Sequence, residues 1–262
     1  MVSRQDVPGF HGAGMGRVGA TSREAAPDRP HQHDDQPPGA HPLGDQEILV
    51  LAWFSASSMQ DPEVRARLWA AWGMCPRHSL GFVAVEASIY HGWLFAPAIL
   101  YEDLMERAAG ALEPRRVNGR WRTIAALQPS EPCLLCADGL TAAAQAPATA
   151  ASLVGAARDL APLRGLAAVL RPHWQPWVCG RCSGSGGPLR CRPHLIADLT
   201  ARSAVDLAVQ RATVQELVYH LHAYARSFGW ATRGTESDAD RAALLGAIGW
   251  CGGWELILRY LT

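Results

Sequence analysis

The amino-acid sequence predicts a mainly α-helical fold. From residue 45 onward, apolar residues recur every three or four positions, as they do along one face of a helix, whereas few segments alternate with the period of two that a β-strand shows. Helix start and stop signals flank most of these segments. The chain has 262 residues, of which 48% are hydrophobic and 18% charged, so it can bury a sizeable core in one or two domains. We expect two helical units that follow a disordered N-terminal tail.

Residues 1–44 form the predicted tail. They mix Pro, Gly, His, Arg and Asp without a hydrophobic period, and such a segment buries too little apolar surface to offset the entropy of ordering. The start lacks the apolar region of a signal peptide, and the apolar run 48–53 is too short to span a bilayer. We therefore expect a cytoplasmic, reduced protein without a membrane partner.

The first predicted helical unit covers residues 45–128. Asp45 is expected to cap a helix with Glu47 in its first turn. Asp61 and Pro62 have the N-cap and first-residue pattern of a second helix, which Gly73 ends. Two further helices are predicted from the apolar faces Phe82, Val85, Ile89 and Leu100, Leu104, Leu112.

The second predicted unit covers residues 129–262. It follows a Pro-containing connector, 113–132, in which we expect a short extended piece over 121–127. Residues 153–170 have helical spacing, and 171–193 are expected to be irregular because they are rich in Pro and Gly.

Two C-terminal helices complete the second unit. The first is predicted from Leu195 to Phe228, and the capping-box spacing of Thr213 and Glu216 permits a break within it. Ser237 is the predicted N-cap of the last helix.

The strongest chemical signal is a set of three cysteines and one histidine. Cys179-Gly-Arg-Cys182 is followed after eight residues by Cys191-Arg-Pro-His194; we call residues 179–194 the knuckle. Two intervening residues form a tight turn, so both side chains of a pair approach one cation from the same side. Cys with His at this short spacing is typical of a structural zinc site, and we predict that these four residues bind Zn²⁺.

Two further pairs have the same spacing, Cys75/His78 and Cys133/Cys136. Eight ligands fill two tetrahedral sites, which leaves only Cys251 over, so we predict two zinc ions per chain. A rival arrangement joins Cys133 and Cys136 to Cys191 and His194. Disulfides, a redox-active dithiol and an iron–sulfur cluster remain alternatives for these cysteines.

The order of the motifs resembles a known family. Residues 72–78, Trp-Gly-Met-Cys-Pro-Arg-His, form a Cys-x-x-His turn, and 98–104, Ala-Ile-Leu-Tyr-Glu-Asp-Leu, belong to the helix after it. Residues 133–136 open a second unit that 189–195, Leu-Arg-Cys-Arg-Pro-His-Leu, close. Over residues 45–262 this order is similar to that of zinc-binding helical proteins of unknown function from bacteria, built of two degenerate CxxC and Gly-(Leu/Phe)-Cys-x-x-His repeats.

This chain departs from the family pattern in two places. The first repeat of the family opens with a CxxC pair, whereas residues 53–58 read Trp-Phe-Ser-Ala-Ser-Ser, and Cys179/Cys182 is an additional pair. The resemblance leaves open that the additional pair replaces Cys133/Cys136 in the second site and frees them for Cys75/His78. It implies a helical, metal-stabilised fold and no particular activity.

Charge limits the classes of partner. The net charge is zero, with 24 basic and 24 acidic residues, and every basic residue is Arg. This balance disfavours a dominant nucleic-acid surface. A local patch, which we interpret as a solvated loop, comprises Arg115, Arg116, Arg120 and Arg122.

Several residues have both a structural and a functional interpretation. Trp174 and Trp177 precede the knuckle and are expected to pack over its metal site, although an aromatic pair there also suits a docking pocket. His220 and His222 are two residues apart on a helix, so they point in different directions and do not form a metal pair. Cys251 is expected to be a buried small residue.

Three functional hypotheses follow. We favour a zinc-stabilised helical module that binds or assembles with another protein and has no catalytic activity, because no catalytic signature is evident in the sequence. The alternatives are a nucleic-acid-binding regulator and an enzyme that uses zinc or a CxxC dithiol. An enzyme would require an open metal position or a depressed thiol pKa.

Overall fold

The computed structural model describes residues 43–57, 59, 61–89, 94–114, 119–138 and 150–262, and these contain no β-strand. The mainly α prediction is confirmed. The helices are α1 (Asp45–Ser57), α2 (Pro62–Ala70), α3 (Pro76–Ile89), α4 (Phe95–Ala111), α5 (Gly119–Leu127), α6 (Leu134–Ala137), α7 (Ala151–Arg158), α8 (Ala161–Trp174), α9 (Arg192–Thr200), α10 (Leu207–Ser227), α11 (Asp238–Gly252) and α12 (Glu255–Leu261), with short 3-10 helices at Gln175–Trp177 and Trp230–Thr232.

Local signals predict several helix ends correctly. The Asp61 carboxylate accepts hydrogen bonds from the backbone N–H groups of the first turn of α2. Ser237 and Asp240 form the reciprocal capping box of α11. The chain leaves α2 through Trp72 (φ 59°) and Gly73 (φ 87°), both in the left-handed region, and Cys75 follows directly.

Leu43 and Gly44, which the predicted tail over residues 1–44 includes, belong to the folded structure. The prediction of a disordered tail over residues 1–42 lies outside the described residues, but Leu43 is buried and packs against Gly81, where a Cβ atom would lie 2.1 Å from Leu43 Cδ1. Ile48 N–H donates to the Gly44 carbonyl, so Gly44, not Asp45, is the N-cap of α1. The Gly44 N–H in turn donates to the Glu47 carboxylate at 2.8 Å.

Three predictions about the middle of the chain are wrong. Residues 121–127 are not extended but lie in α5, which buries Thr123, Ile124 and Leu127 on one face. Residues 171–174 are helical and complete α8. The break that the spacing of Thr213 and Glu216 permits does not occur there: α10 runs through both residues, and the helix predicted over 195–228 is instead interrupted at 201–206, before the N-cap Asp206. In each case burial of an apolar face outweighs the local signal.

The helices share one core. The described residues belong to a single compact unit, in which α4 packs against α10, α3 against α1 and α7, and α11 against α8 and α10. Helices from both sides of the predicted unit boundary at 128/129 therefore contribute to the same core. None of the described helices is long and apolar enough to cross a bilayer.

Arginine side chains bind the free carbonyl groups at several helix C-termini. Arg192 donates to the carbonyls of Leu127 (3.0 Å) and Cys251 (2.9 Å), which belong to the last turns of α5 and α11. Three other arginines bind carbonyls in the same way: Arg107 to Trp69 of α2, Arg164 to Tyr260 of α12, and Arg211 to Leu112 after α4. A guanidinium at this position satisfies unpaired carbonyls and complements the helix dipole.

Candidate metal centres

The first centre consists of Cys75, His78, Cys133 and Cys136, and it joins α3 to α6. The sulfur atoms of Cys75, Cys133 and Cys136 lie 3.3, 3.4 and 3.5 Å from His78 Nδ1, and Cys75 and Cys136 Sγ are 3.8 Å apart. All four ligand atoms lie within 4.8 Å of one another. The structure thus brings together two pairs that 54 residues separate in the sequence.

The second centre consists of Cys179, Cys182, Cys191 and His194, at the start of α9. The three sulfur atoms lie 3.4, 3.3 and 3.2 Å from His194 Nδ1, and Cys182 and Cys191 Sγ are 3.7 Å apart. The rival arrangement, in which Cys133 and Cys136 join Cys191 and His194, is not the one observed.

The distances fit one tetrahedral ion in each centre. With Zn–S bonds of about 2.3 Å and Zn–N bonds of about 2.0 Å, the edges of a tetrahedron measure about 3.8 Å between two sulfurs and about 3.5 Å between sulfur and nitrogen. The observed distances of 3.7–3.8 Å and 3.2–3.5 Å agree with these edges. A disulfide requires about 2.05 Å, and all the cysteines are free thiols.

A helix N-terminus holds one Cys-His pair of each centre. The carbonyls of Cys75 and Cys191 accept the first hydrogen bonds of α3 and α9, from Ser79 (2.9 Å) and Leu195 (2.8 Å). Both cysteines thus occupy the N-cap position, where the helix dipole favours a thiolate. The histidine, three residues later, points its Nδ1 atom back at the sulfur.

A buried carboxylate supports the histidine of the first centre. Glu47 Oε1 lies 2.9 Å from His78 Nε2, and both side chains are 0% exposed. Arg77 donates to both carboxylate oxygens of Glu47. Burial alone would raise the pKa of Glu47, but hydrogen bonds from His78, Gly44 and Arg77 outweigh it and lower the pKa to about 2. The carboxylate is therefore ionised and fixes His78 with Nδ1 free to bind a metal.

The first centre attracts positive charge. Burial alone would lower the pKa of His78, but hydrogen bonds to Cys133, Cys136 and Glu47 raise it to about 10. The neighbouring sulfurs of Cys133 and Cys136 raise the pKa of Cys75, since adjacent thiolates repel one another. Without a metal, these thiol and imidazole groups hold protons. A divalent cation would bind to the same atoms and displace those protons.

Asp198 has the supporting role at the second centre. This buried carboxylate on α9 accepts hydrogen bonds at 2.6 Å from Arg181, between the first two cysteines, and at 2.6 Å from Arg190, directly before Cys191. It therefore holds both arms of the knuckle against α9. The arms also lie close together: a Cβ atom on Gly180 would be 2.3 Å from the Gly187 carbonyl oxygen.

The tryptophans before the knuckle are part of the core. Trp174 and Trp177 are buried, Trp174 stacks on Trp254 at 5.8 Å, and the backbone N–H of Trp254 donates to Cys182 Sγ at 3.5 Å. Trp174 lies beside the second centre, as predicted, and lines the same cavity as Cys182, whereas Trp177 packs against His220 and Gly246. The alternative of a docking pocket formed by this aromatic pair stays a prediction.

The remaining candidate residues have structural partners or lie outside the described ranges. His220 contacts Asp240, and His222 contacts Glu106, each at 2.7 Å, so the two histidines do point apart. Cys251 is buried, as predicted. In the predicted Arg patch, Arg115 and Arg116 lie outside the described residues, whereas Arg120 and Arg122 lie in helix α5 and not in a loop.

The sequence analysis missed Glu47 and Asp198. Asp198 follows His194 by four residues, one helical turn, and that spacing was an available signal. Glu47 has no such signal, because it approaches His78 from another helix. Comparisons with protein-family models, with curated proteins and with solved structures find no match for this chain. The residues of the two centres therefore carry the strongest indication of function in this chain.

Proposed function

We propose that each centre binds one Zn²⁺, two per chain, and that both ions are structural. The observation that carries this proposal is the spacing of four protein ligand atoms in each centre, which matches a closed tetrahedral shell. Three thiolates and one imidazole suit Zn²⁺, whereas iron–sulfur clusters use His only exceptionally. A closed shell leaves no position for substrate or water, which argues against zinc catalysis.

The two ions would stabilise different parts of the fold. The first centre ties α6 to α3, and the second ties the knuckle to α9. Because such sites do not exist in the unfolded chain, the free energy of metal binding contributes to folding. In this proposal the protein is cytoplasmic and kept reduced, as free thiols require, and belongs to the bacterial family whose motif order it resembles.

We further propose that the protein acts by binding another protein. Among the described residues, several large aromatic side chains are exposed, above all Trp230 at 89% and Tyr219 at 71%. Exposed Trp and Tyr are the side chains most often found at the energetic centre of protein interfaces. A nucleic-acid regulator is less well supported, since many arginines already bind carboxylates or helix carbonyls.

Metal content tests the zinc proposal. Protein purified without chelator should contain two zinc ions per chain by mass spectrometry, and a chelator should lower its melting temperature steeply. One ion per chain would restrict the proposal to one centre. Metal-free protein that melts at the same temperature would contradict it.

Partner binding tests the second part of the proposal. Wild-type protein should copurify with a stoichiometric protein partner, and Trp230→Ala should lose it while zinc content stays at two. Val169→Ala, at an exposed apolar residue of α8, is the matched control and should keep the partner. Salt-sensitive, submicromolar binding of nucleic acid instead would favour the regulator.

A further inference from the structure

The two centres differ in how their histidines are held. His78 is fully buried, and its Nε2 atom lies 2.9 Å from the buried carboxylate oxygen of Glu47. His194 is only partly buried, and no described residue forms a hydrogen bond with its Nε2 atom. Losing a supporting partner of this kind typically lowers metal affinity 10–100-fold. A metal in the second centre would therefore be held less firmly on its histidine side.

The second centre is also open to small molecules. A cavity of about 520 Å³ lies between the knuckle, α8 and α12, and its lining includes Cys182, Ser185 and Arg171. Cys182 is partly exposed and lines this cavity, whereas Cys179 and Cys191 of the same centre are buried; Cys75 and Cys136 of the first centre are also partly exposed but do not line the cavity. Arg171 is exposed and has no carboxylate partner among the described residues. Reactive cysteines are typically at least partly exposed, as Cys182 is here.

We infer that Cys182 is a modification site, at which peroxide oxidises the second centre and releases its metal while the first centre stays intact. The inference rests on the proposed binding of zinc at both centres. It adds a regulatory property: oxidation opens the knuckle, whereas α3 and α6, which the first centre joins, stay together.

The chemistry requires one peroxide and two thiolates. The Cys182 thiolate attacks one peroxide oxygen, an S–O bond forms, the O–O bond breaks and hydroxide leaves, which gives a sulfenic acid. The Cys191 thiolate, whose sulfur lies 3.7 Å from that of Cys182, then attacks the sulfenic sulfur. An S–S bond forms and a second hydroxide leaves. Two thiolate electrons have reduced one peroxide, and the neutral disulfide no longer binds a cation well.

The test uses full-length protein loaded with two zinc ions. Hydrogen peroxide is added, zinc release is followed with a colorimetric chelator, and oxidised cysteines are mapped by mass spectrometry after free thiols are alkylated. We expect the first equivalent of zinc to leave about tenfold faster than the second, with a Cys182–Cys191 disulfide as the first product. Equal release rates, or earlier oxidation of Cys75, Cys133 or Cys136, would overturn the inference.

A variant of the cavity distinguishes access from intrinsic reactivity. Leu258→Trp, on α12 and outside the knuckle, enlarges a side chain on the cavity lining and should slow release of the first equivalent several-fold without changing zinc content. Ala168→Phe, at an exposed position of α8 outside that lining, is the control and should react like wild type. Protein without zinc before peroxide is added would contradict the proposed function instead, and the mapping would still show whether Cys182 reacts first.

Discussion

Glu47 Oε1 lies 2.9 Å from Nε2 of His78, and neither side chain is exposed to solvent. Glu47 is the third residue of α1, so this contact joins the first turn of α1 to the first centre. The same carboxylate accepts the Gly44 N–H that caps α1 and both arms of the Arg77 guanidinium. Helix initiation, charge balance and histidine orientation thus depend on one side chain.

Replacing this carboxylate should weaken the first centre specifically. Glu47→Gln keeps the size of the side chain but removes the negative charge that orients His78, so we expect metal affinity at the first centre to fall 10–100-fold. Competition with a chelator of known affinity measures the change. Asp45→Asn, in the first turn of α1 at a partly exposed ion pair with Arg158 of α7, is the control; equal loss in both variants would mean that α1 stability, not His78, is responsible.

The ligands were predictable from sequence because their spacing is local. Each Cys-x-x-Cys or Cys-x-x-His pair is confined to one turn, and the geometry of that turn is set by the intervening residues. It was harder to predict that the Cys75/His78 and Cys133/Cys136 pairs share one site, because this depends on how α3 packs in the core. Glu47 was beyond prediction for the same reason.

The carbonyl-binding arginines illustrate a second limit of the sequence. When an arginine binds a carboxylate, the partner is an Asp or Glu that can be recognised in the sequence. A backbone carbonyl is present at every residue, so the sequence does not show which one an arginine binds. Arg192 is therefore indistinguishable in sequence from a solvated arginine, although it contacts the ends of α5 and α11. The helix α5 was missed similarly, because flanking prolines suggested a connector.

Arg192→Met should destabilise the fold. The substitution retains most of the apolar stem but leaves the carbonyls of Leu127 and Cys251 without their donor, at a cost of about 2–3 kcal/mol in the free energy of unfolding. Urea unfolding of zinc-loaded protein measures the loss. Arg122→Met, at an exposed position of α5, should change stability by less than about 0.5 kcal/mol; similar losses in both variants would refute a specific role of Arg192.

Gly180→Ala should disrupt the second centre. The added Cβ would lie 2.3 Å from the Gly187 carbonyl oxygen, so the two arms of the knuckle must move apart and the four ligands lose their spacing. We expect purified Gly180→Ala protein to contain about one zinc ion per chain. Gly165→Ala, on α8 with no atom within 4 Å of the new Cβ, should keep both ions and gain about 0.5–1 kcal/mol of stability. Two ions in both variants would contradict the prediction.

Glu86 gives the fold a pH dependence that does not involve metal. Its carboxyl is buried in α3, where Oε1 accepts hydrogen bonds from Ser55 (2.8 Å) and the Ala96 N–H (3.2 Å), and Oε2 has no partner. Burial raises the pKa of Glu86 from 4.5 to about 7, against the effect of these two donors. The folded state therefore favours the protonated acid.

The sign of the effect follows from that raised pKa. Below pH 4.5 the carboxyl is neutral in both states, and its contribution to stability is complete. Between pH 4.5 and about 7 the unfolded chain ionises while the folded chain does not, so stability falls; above pH 7 the loss is constant. Each pKa unit corresponds to roughly 1.4 kcal/mol, so the total loss is about 3 kcal/mol.

Glu86→Gln should remove this loss. The amide is neutral at every pH and its oxygen still accepts from Ser55 and Ala96, so the variant should gain about 2–3 kcal/mol relative to wild type between pH 5 and pH 8. Urea unfolding of both proteins across this range measures the difference, in which the contributions of the metal ligands and the other carboxylates cancel. Glu63→Gln, at an exposed residue in the first turn of α2, is the control. Its curve of unfolding free energy against pH should be parallel to that of wild type. A Glu86→Gln curve that also runs parallel would show that Glu86 is ionised in the folded protein at low pH.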